Sequence, residues 1–148
     1  MRLCLVHHAH AVGPEVDPQR PLSTAGRDHA ARLAELVKAR GFVPAAIWHS
    51  GKLRARQTAE VFLTTCNPFA EFKMIRGVRP DDPPEILRET LTVETRDLVV
   101  AGHIPHLSAW LELVVPGSPG FPLHGAVALQ TEDDGRTWRE VWRETIEI

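Results

Sequence analysis

Eight histidines are spread over 148 residues, and three groups of them stand where apolar runs end. His7-His8-Ala9-His10 follows Leu3-Cys4-Leu5-Val6, His49-Ser50 follows Ala45-Ala46-Ile47-Trp48, and Gly102-His103-Ile104-Pro105-His106 closes the run that starts at Asp97. A neutral imidazole can attack an electrophile, carry a proton or bind a metal. Any single histidine at a strand end is most simply a half-exposed polar residue; the joint placement is the signal. Arg54 belongs with them by geometry. On a helix Lys52 and Arg56 lie four residues apart on one face, whereas Arg54 sits about 200° from each, beside Thr58 and the stripe that contains Phe62. Lys52 and Arg56 thus read as a solvated face and Arg54 as pointing inward. A guanidinium beside imidazoles suits a phosphate, which it grips with two parallel hydrogen bonds. A second pattern competes: His8 and His10 form an HxH pair that, with His103 and His106, has the residue types of a zinc site. It is the weaker pattern, because no carboxylate partner is fixed nearby.

Positioning these groups requires regular elements, and the periodicity supplies them. Leu3 to Val6 is a continuous apolar run, the pattern of a strand buried on both faces. Gly13, Pro14 and Pro18 mark a loop, and Ser23 is the expected N-cap of a helix whose stripe is Ala30, Leu33, Ala34 and Val37 and whose stop is Gly41. Ala45 to Trp48 reads as a strand, Leu53 to about Leu63 as a helix, and Phe72 to Ile75 as an edge strand. Pro83 and Pro84 suit the start of a helix over Glu85 to Leu91. Asp97 to His103 is a second buried strand, and Leu107 to Val115 a helix ended by Pro116-Gly117. Ala126 to Gln130, a turn at Asp133-Asp134-Gly135, and Trp138 to Trp142 form a hairpin pattern. This order predicts an α/β three-layer sandwich, a mostly parallel sheet flanked by helices with a C-terminal antiparallel hairpin, in one domain over residues 1–148. In such a sheet ligands bind beyond the carboxyl ends of the strands, where the histidines stand. Trp110, Trp138 and Trp142 read as packing, and His124 as a residue of the last loop that approaches the same end.

Composition narrows the partners. Lys and Arg number 17 against 19 Asp and Glu, for a net charge of −2, so no broad cationic field is offered and nucleic acid is not an expected partner. The longest apolar stretches fall far short of a bilayer span, and no targeting segment is visible, so the expectation is a cytoplasmic protein with no membrane partner. Cys4 and Cys66 read as reduced thiols.

At the residues singled out above, the sequence resembles the histidine phosphatase superfamily, and within it the SixA-type phosphohistidine phosphatases. The family opens with a strand and Arg-His-Gly, where this chain has His7-His8-Ala9. The next landmark, Arg-Pro-Leu-Ser/Thr-x-x-Gly, stands as Arg20-Pro21-Leu22-Ser23-Thr24-Ala25-Gly26. Ser-Pro-x-x-Arg-Ala-x-Gln-Thr-Ala is matched from Ser50 to Ala59, with Gly51 for proline, and Gly/Ser-His-x-Pro by Gly102-His103-Ile104-Pro105. The motifs occur in family order and cover most of the chain.

The resemblance implies a phosphoglycerate mutase-like fold and metal-independent phosphoryl transfer without a cofactor. His8 would be the nucleophile that becomes a phosphohistidine, and Arg54 and His103 would hold the nonbridging oxygens. His7, Arg20, Ser50 and Ile104 would bind or orient the substrate, a phosphorylated protein or a small phosphorylated compound. The departures are His7 for arginine, a shorter and mostly neutral side chain at pH 7, and Ala9 for glycine. They open an alternative, a phosphate- or phosphoprotein-binding module of the same fold with impaired turnover. The family's proton donor is not evident. Asp81 and Asp82 fall in the right stretch, and a turn role ahead of Pro83 explains them equally well.

Overall fold

The computed structural model describes residues 1–147. Its elements are β1 (Arg2–His7), α1 (Thr24–Ala39), β2 (Ala46–His49), α2 (Leu53–Cys66), β3 (Glu71–Met74), α3 (Pro84–Leu91), β4 (Leu98–Gly102), α4 (His106–Val114), β5 (Ala126–Gln130) and β6 (Arg139–Glu144). They form one six-stranded sheet in the order β3-β2-β4-β1-β5-β6. The first four strands of that order run parallel, and β5 and β6 add antiparallel at the far side. The expected α/β sandwich with its C-terminal hairpin is therefore the observed architecture. Helix α2 runs three residues past the expected Leu63, and α3 and α4 begin one residue early. Among the described residues no helix is long and apolar enough to cross a membrane.

The continuous apolar strands are explained by burial on both faces. Leu3, Leu5, Trp48, Leu98 and Val100 face the layer that holds Leu87 and Leu91 of α3 and Leu107, Trp110 and Leu111 of α4. Cys4, Val6, Ile47, Val99 and Ala101 face Leu33, Ala34 and Val37 of α1 and Ala59 and Phe62 of α2. Each strand thus alternates its side chains between two helical layers. Ser23 caps α1 by accepting from the Gly26 N–H at 3.0 Å.

Register decides what the site receives. Val6 pairs with Ala101 and His7 with Gly102, while His49 also pairs with Ala101. His8 and His103 therefore leave the sheet level with each other, and Ser50, on the strand next to β4, one residue short of them at the same edge.

Candidate active site

His8 follows the last residue of β1, and its backbone N–H donates to the Gly102 carbonyl at 3.1 Å, joining the ends of β1 and β4. Its ring Nδ1 lies 2.7 Å from the Ala9 carbonyl oxygen. A carbonyl only accepts, so Nδ1 carries the proton and Nε2 keeps its lone pair. Burial pushes the imidazole down to about 4; the Ala9 bond opposes this, and Arg54, His124 and Arg20 add to it. At neutral pH His8 is an uncharged base with one free nitrogen, which is what a nucleophile requires.

His103 is 1% exposed, and its ring centre lies 5.1 Å from that of His8. The Ser50 hydroxyl holds its Nε2 at 2.6 Å, so Nδ1 is left buried without a protein partner. Burial, then His8 and Arg54, lower its pKa to about 3. Arg54, in the first turn of α2, has its Nε buried and equally unpartnered. Its charge helps to lower the pKa of His7, His8 and His103 alike. Thr58, one turn along, donates to the Arg54 carbonyl at 2.8 Å and accepts from the Ala9 N–H at 3.0 Å. That strap fixes the nucleophile segment to the helix that carries the arginine. Burial without a partner costs about 1–3 kcal/mol per group, so the two unpartnered nitrogens, Arg54 Nε and His103 Nδ1, are groups that an anion could satisfy.

His7 and His124 complete the cluster. Their rings stack at 4.8 Å and 4°, and the His124 backbone N–H donates to His7 Nδ1 at 2.8 Å. His7 therefore carries its proton on Nε2 and acts as a neutral donor; burial, then His8, holds its pKa down at about 2. His124 Nδ1 sits 2.7 Å from the His8 carbonyl and so is also protonated. Ring nitrogens of His7, His8 and His124 lie within 4.8 Å of one another. With His7 Nε2 protonated, this trio offers two lone pairs and one N–H, which suits an oxyanion and a proton better than three bonds to a cation.

The residues expected for a metal are not brought together in the HxH manner. His10 Nδ1 is bonded to the Ser23 hydroxyl at 2.8 Å, and His106 is buried at the start of α4. The neighbours of His8 are instead His7, His103 and His124.

Of the remaining expected residues, Arg20 turns towards the site: its charge acts on both His8 and Arg54, and its Nε donates to the Val12 carbonyl at 3.1 Å. Ser50 reaches the site through His103. Ile104 packs against the apolar layer under α3 and α4. Asp82 accepts from the Arg79 N–H at 2.9 Å, which is the turn role, and Asp81 lines a separate depression with Pro105 and His106. Ala9 is not among the residues with positive φ, so its backbone does not need glycine there. Gly51 does have φ +91°, a value closed to the proline of the family pattern. The Thr58 strap is what sequence reasoning did not assign, and His124, read only as approaching this end, is bonded to His7 and to the His8 carbonyl. The helical spacing of Thr58 from Arg54 was a usable signal, whereas only the sheet order shows that the β5 entry returns to His8.

Comparison with known proteins bears on the fold. Residues 5–77, which include His8 and Arg54, match the family model of the histidine phosphatase superfamily (branch 1). An uncharacterized chloroplastic protein of Arabidopsis thaliana is 33% identical over 73 residues, a match that covers 47% of this chain and 34% of that protein. A protein histidine phosphatase SixA solved with tungstate superposes with a TM-score of 0.86 at 21% identity, over 97% of this chain and 96% of that one. A phosphoglycerate mutase of Plasmodium falciparum gives 0.71 at 15% identity, over 95% and 88%. At these identities the structural matches establish the fold.

Proposed function

On a chain that has the histidine phosphatase fold and matches that superfamily's model over residues 5–77, we propose a phosphatase that works through a phosphohistidine on His8. The observation that carries this is the free Nε2 of His8 with the His103 ring 5.1 Å away, where His103 Nδ1, like Arg54 Nε, is buried and unpartnered. In the first step His8 Nε2 forms a bond to phosphorus as the bond to the leaving group breaks. Arg54 and His103, with the N–H of His7, hold the three nonbridging oxygens as charge spreads over them. In the second step water attacks phosphorus and His8 leaves. The neutral state of His8 supports the first step, and its Ala9 hydrogen bond supports the second by fixing the ring.

The surroundings favour a substrate that is negatively charged beyond its phosphoryl group. Every parallel strand except β4 is followed by a cation: Arg20 after β1, Lys52 and Arg54 after β2, Arg76 and Arg79 after β3. An open depression of about 490 Å³ beside Ser50 is lined by Arg76 and Arg79 with one carboxylate, Asp82, and one of about 380 Å³ by Gln19, Lys52 and Arg54. This breadth suits a phosphorylated protein surface ahead of an enclosed metabolite. The free, buried thiols of Cys4 and Cys66 support work in a reducing compartment such as the cytoplasm.

The test is hydrolysis of an aryl phosphate together with chemical trapping of a base-stable phosphoenzyme. Wild type should turn over and become labelled on His8; His8→Ala should do neither, and His103→Ala should lose about 10²-fold in kcat. Turnover that survives His8→Ala overturns the reading. His7 in place of arginine favours one second reading, a phosphate-binding module with impaired turnover. It would show orthophosphate or vanadate binding with no hydrolysis and no phosphoenzyme.

A further inference from the structure

The site lacks an evident proton donor, and the residue best placed to supply one is His124. It precedes β5 with φ 51°, a left-handed conformation that few non-glycine residues adopt and that costs about 1 kcal/mol or more. Two hydrogen bonds hold it there, from its N–H to His7 Nδ1 and from its Nδ1 to the His8 carbonyl. Because that carbonyl fixes the proton on Nδ1, the nitrogen free to gain and lose a proton is Nε2, which has no partner among the described residues. The ring is partly exposed, so water reaches it. A ring nitrogen of His124 lies within 4.8 Å of one of His8 and the two ring centres are 6.1 Å apart, so an oxygen carried on a phosphorus that is bonded to His8 comes within hydrogen-bond reach of the His124 ring. Burial and the Ala9 carbonyl act most strongly on His8, followed by the charges of Arg54, His124 and Arg20. Asp82 accepts from the Arg79 N–H and lines the depression beside Ser50, and Asp81 lines the one beside Pro105 and His106, whereas His124 stacks on His7 and bonds to the His8 carbonyl.

Resting on the phosphohistidine reading above, we propose that His124 is the catalytic residue that moves the proton in both steps. In the first, the His124 imidazolium gives its Nε2 proton to the leaving oxygen or nitrogen while the His8–phosphorus bond forms and the leaving bond breaks. In the second, neutral His124 takes a proton from the attacking water as the phosphorus–nitrogen bond breaks and its electron pair returns to His8. The proton spent in the first step is recovered in the second, and no other reactant is needed.

His124→Asn separates this role from a structural one. Asparagine tolerates the left-handed backbone and its side-chain amide can still donate to the His8 carbonyl, but it has no basic nitrogen. With an alkyl phosphate, whose leaving group needs a proton, kcat should fall about 10²-fold or more. With p-nitrophenyl phosphate, whose leaving group does not, formation of phospho-His8 should be nearly unchanged while its hydrolysis slows about 10²-fold, so labelled enzyme accumulates. His124→Gly, which relieves the backbone strain, provides the same comparison if the asparagine variant folds poorly. Equal slowing with both substrates and no accumulation of phosphoenzyme overturns the proposal. A wild-type protein that forms no phosphoenzyme overturns the functional reading itself, and the two failures are distinct.

Discussion

At the scale of single residues, the site is governed by tautomers. The Ala9 carbonyl and the His124 backbone N–H act on the same ring nitrogen, Nδ1, in opposite senses, one accepting and one donating, so His8 exposes a lone pair and its neighbour His7 exposes a proton. This redefines the departure at position 7. Arginine would bring a cation but no acceptor, and would strand the His124 N–H. His7→Arg is therefore expected to lower stability by about 1–3 kcal/mol in chemical denaturation. Acid sensitivity follows from the same burial. His7, His8 and His103 are held near 2, 4 and 3 against an ordinary 6.5, so they remain neutral in the folded chain where the unfolded chain takes up protons. Their contribution to stability is complete above pH 6.5 and is lost as pH falls towards those values. The slope is about 1.4 kcal/mol per pH unit for each histidine. The urea midpoint should fall steadily from pH 6.5 to pH 4.5, and less steeply in His103→Asn. The labelling rate of His8 should persist at pH 5, where an unperturbed imidazole is mostly protonated.

At the scale of elements, short ties bring the loops to the strand ends. The Ser23 hydroxyl caps α1 and also binds His10, and the segment from Ala11 to Leu22 closes on itself by a bridge between those two residues. Gly26 is required because a side chain there would collide with the His10 carbonyl. Ser23→Ala should cost about 1 kcal/mol by thermal or chemical melting. Thr58→Val keeps the shape of α2 but removes both the acceptor for Ala9 and the donor to the Arg54 carbonyl. It should cost about 1–3 kcal/mol and reduce kcat more than it raises KM, because the strap orders the cradle before substrate arrives.

At the scale of the whole molecule, a chain of net charge −2 sets Arg20, Lys52, Arg54, Arg76 and Arg79 in the segments that follow its parallel strands. Attraction of an anionic substrate is then local, and KM should rise with ionic strength while kcat changes little. Filling the cradle should also stabilise the fold. Orthophosphate or tungstate at about 100 times its Kd adds about 2.7 kcal/mol, seen as a rise in Tm that Arg54→Ala abolishes.

The sequence by itself determined the layered fold and the end of the sheet where chemistry sits. Both are written in local patterns: apolar runs for strands buried on two faces, a capped amphipathic stripe for α1, and histidines at three strand ends. Arg54 was legible for the same reason, since helical spacing separates it from Lys52 and Arg56. Only the tertiary structure decided which nitrogen of each ring is free. It also decided that Thr58 straps Ala9, that Asp82 serves a turn, and that His124 comes back to His8 from 116 residues away. Those outcomes depend on strand order and register, which bring together distant backbone donors and acceptors that no local pattern can pair.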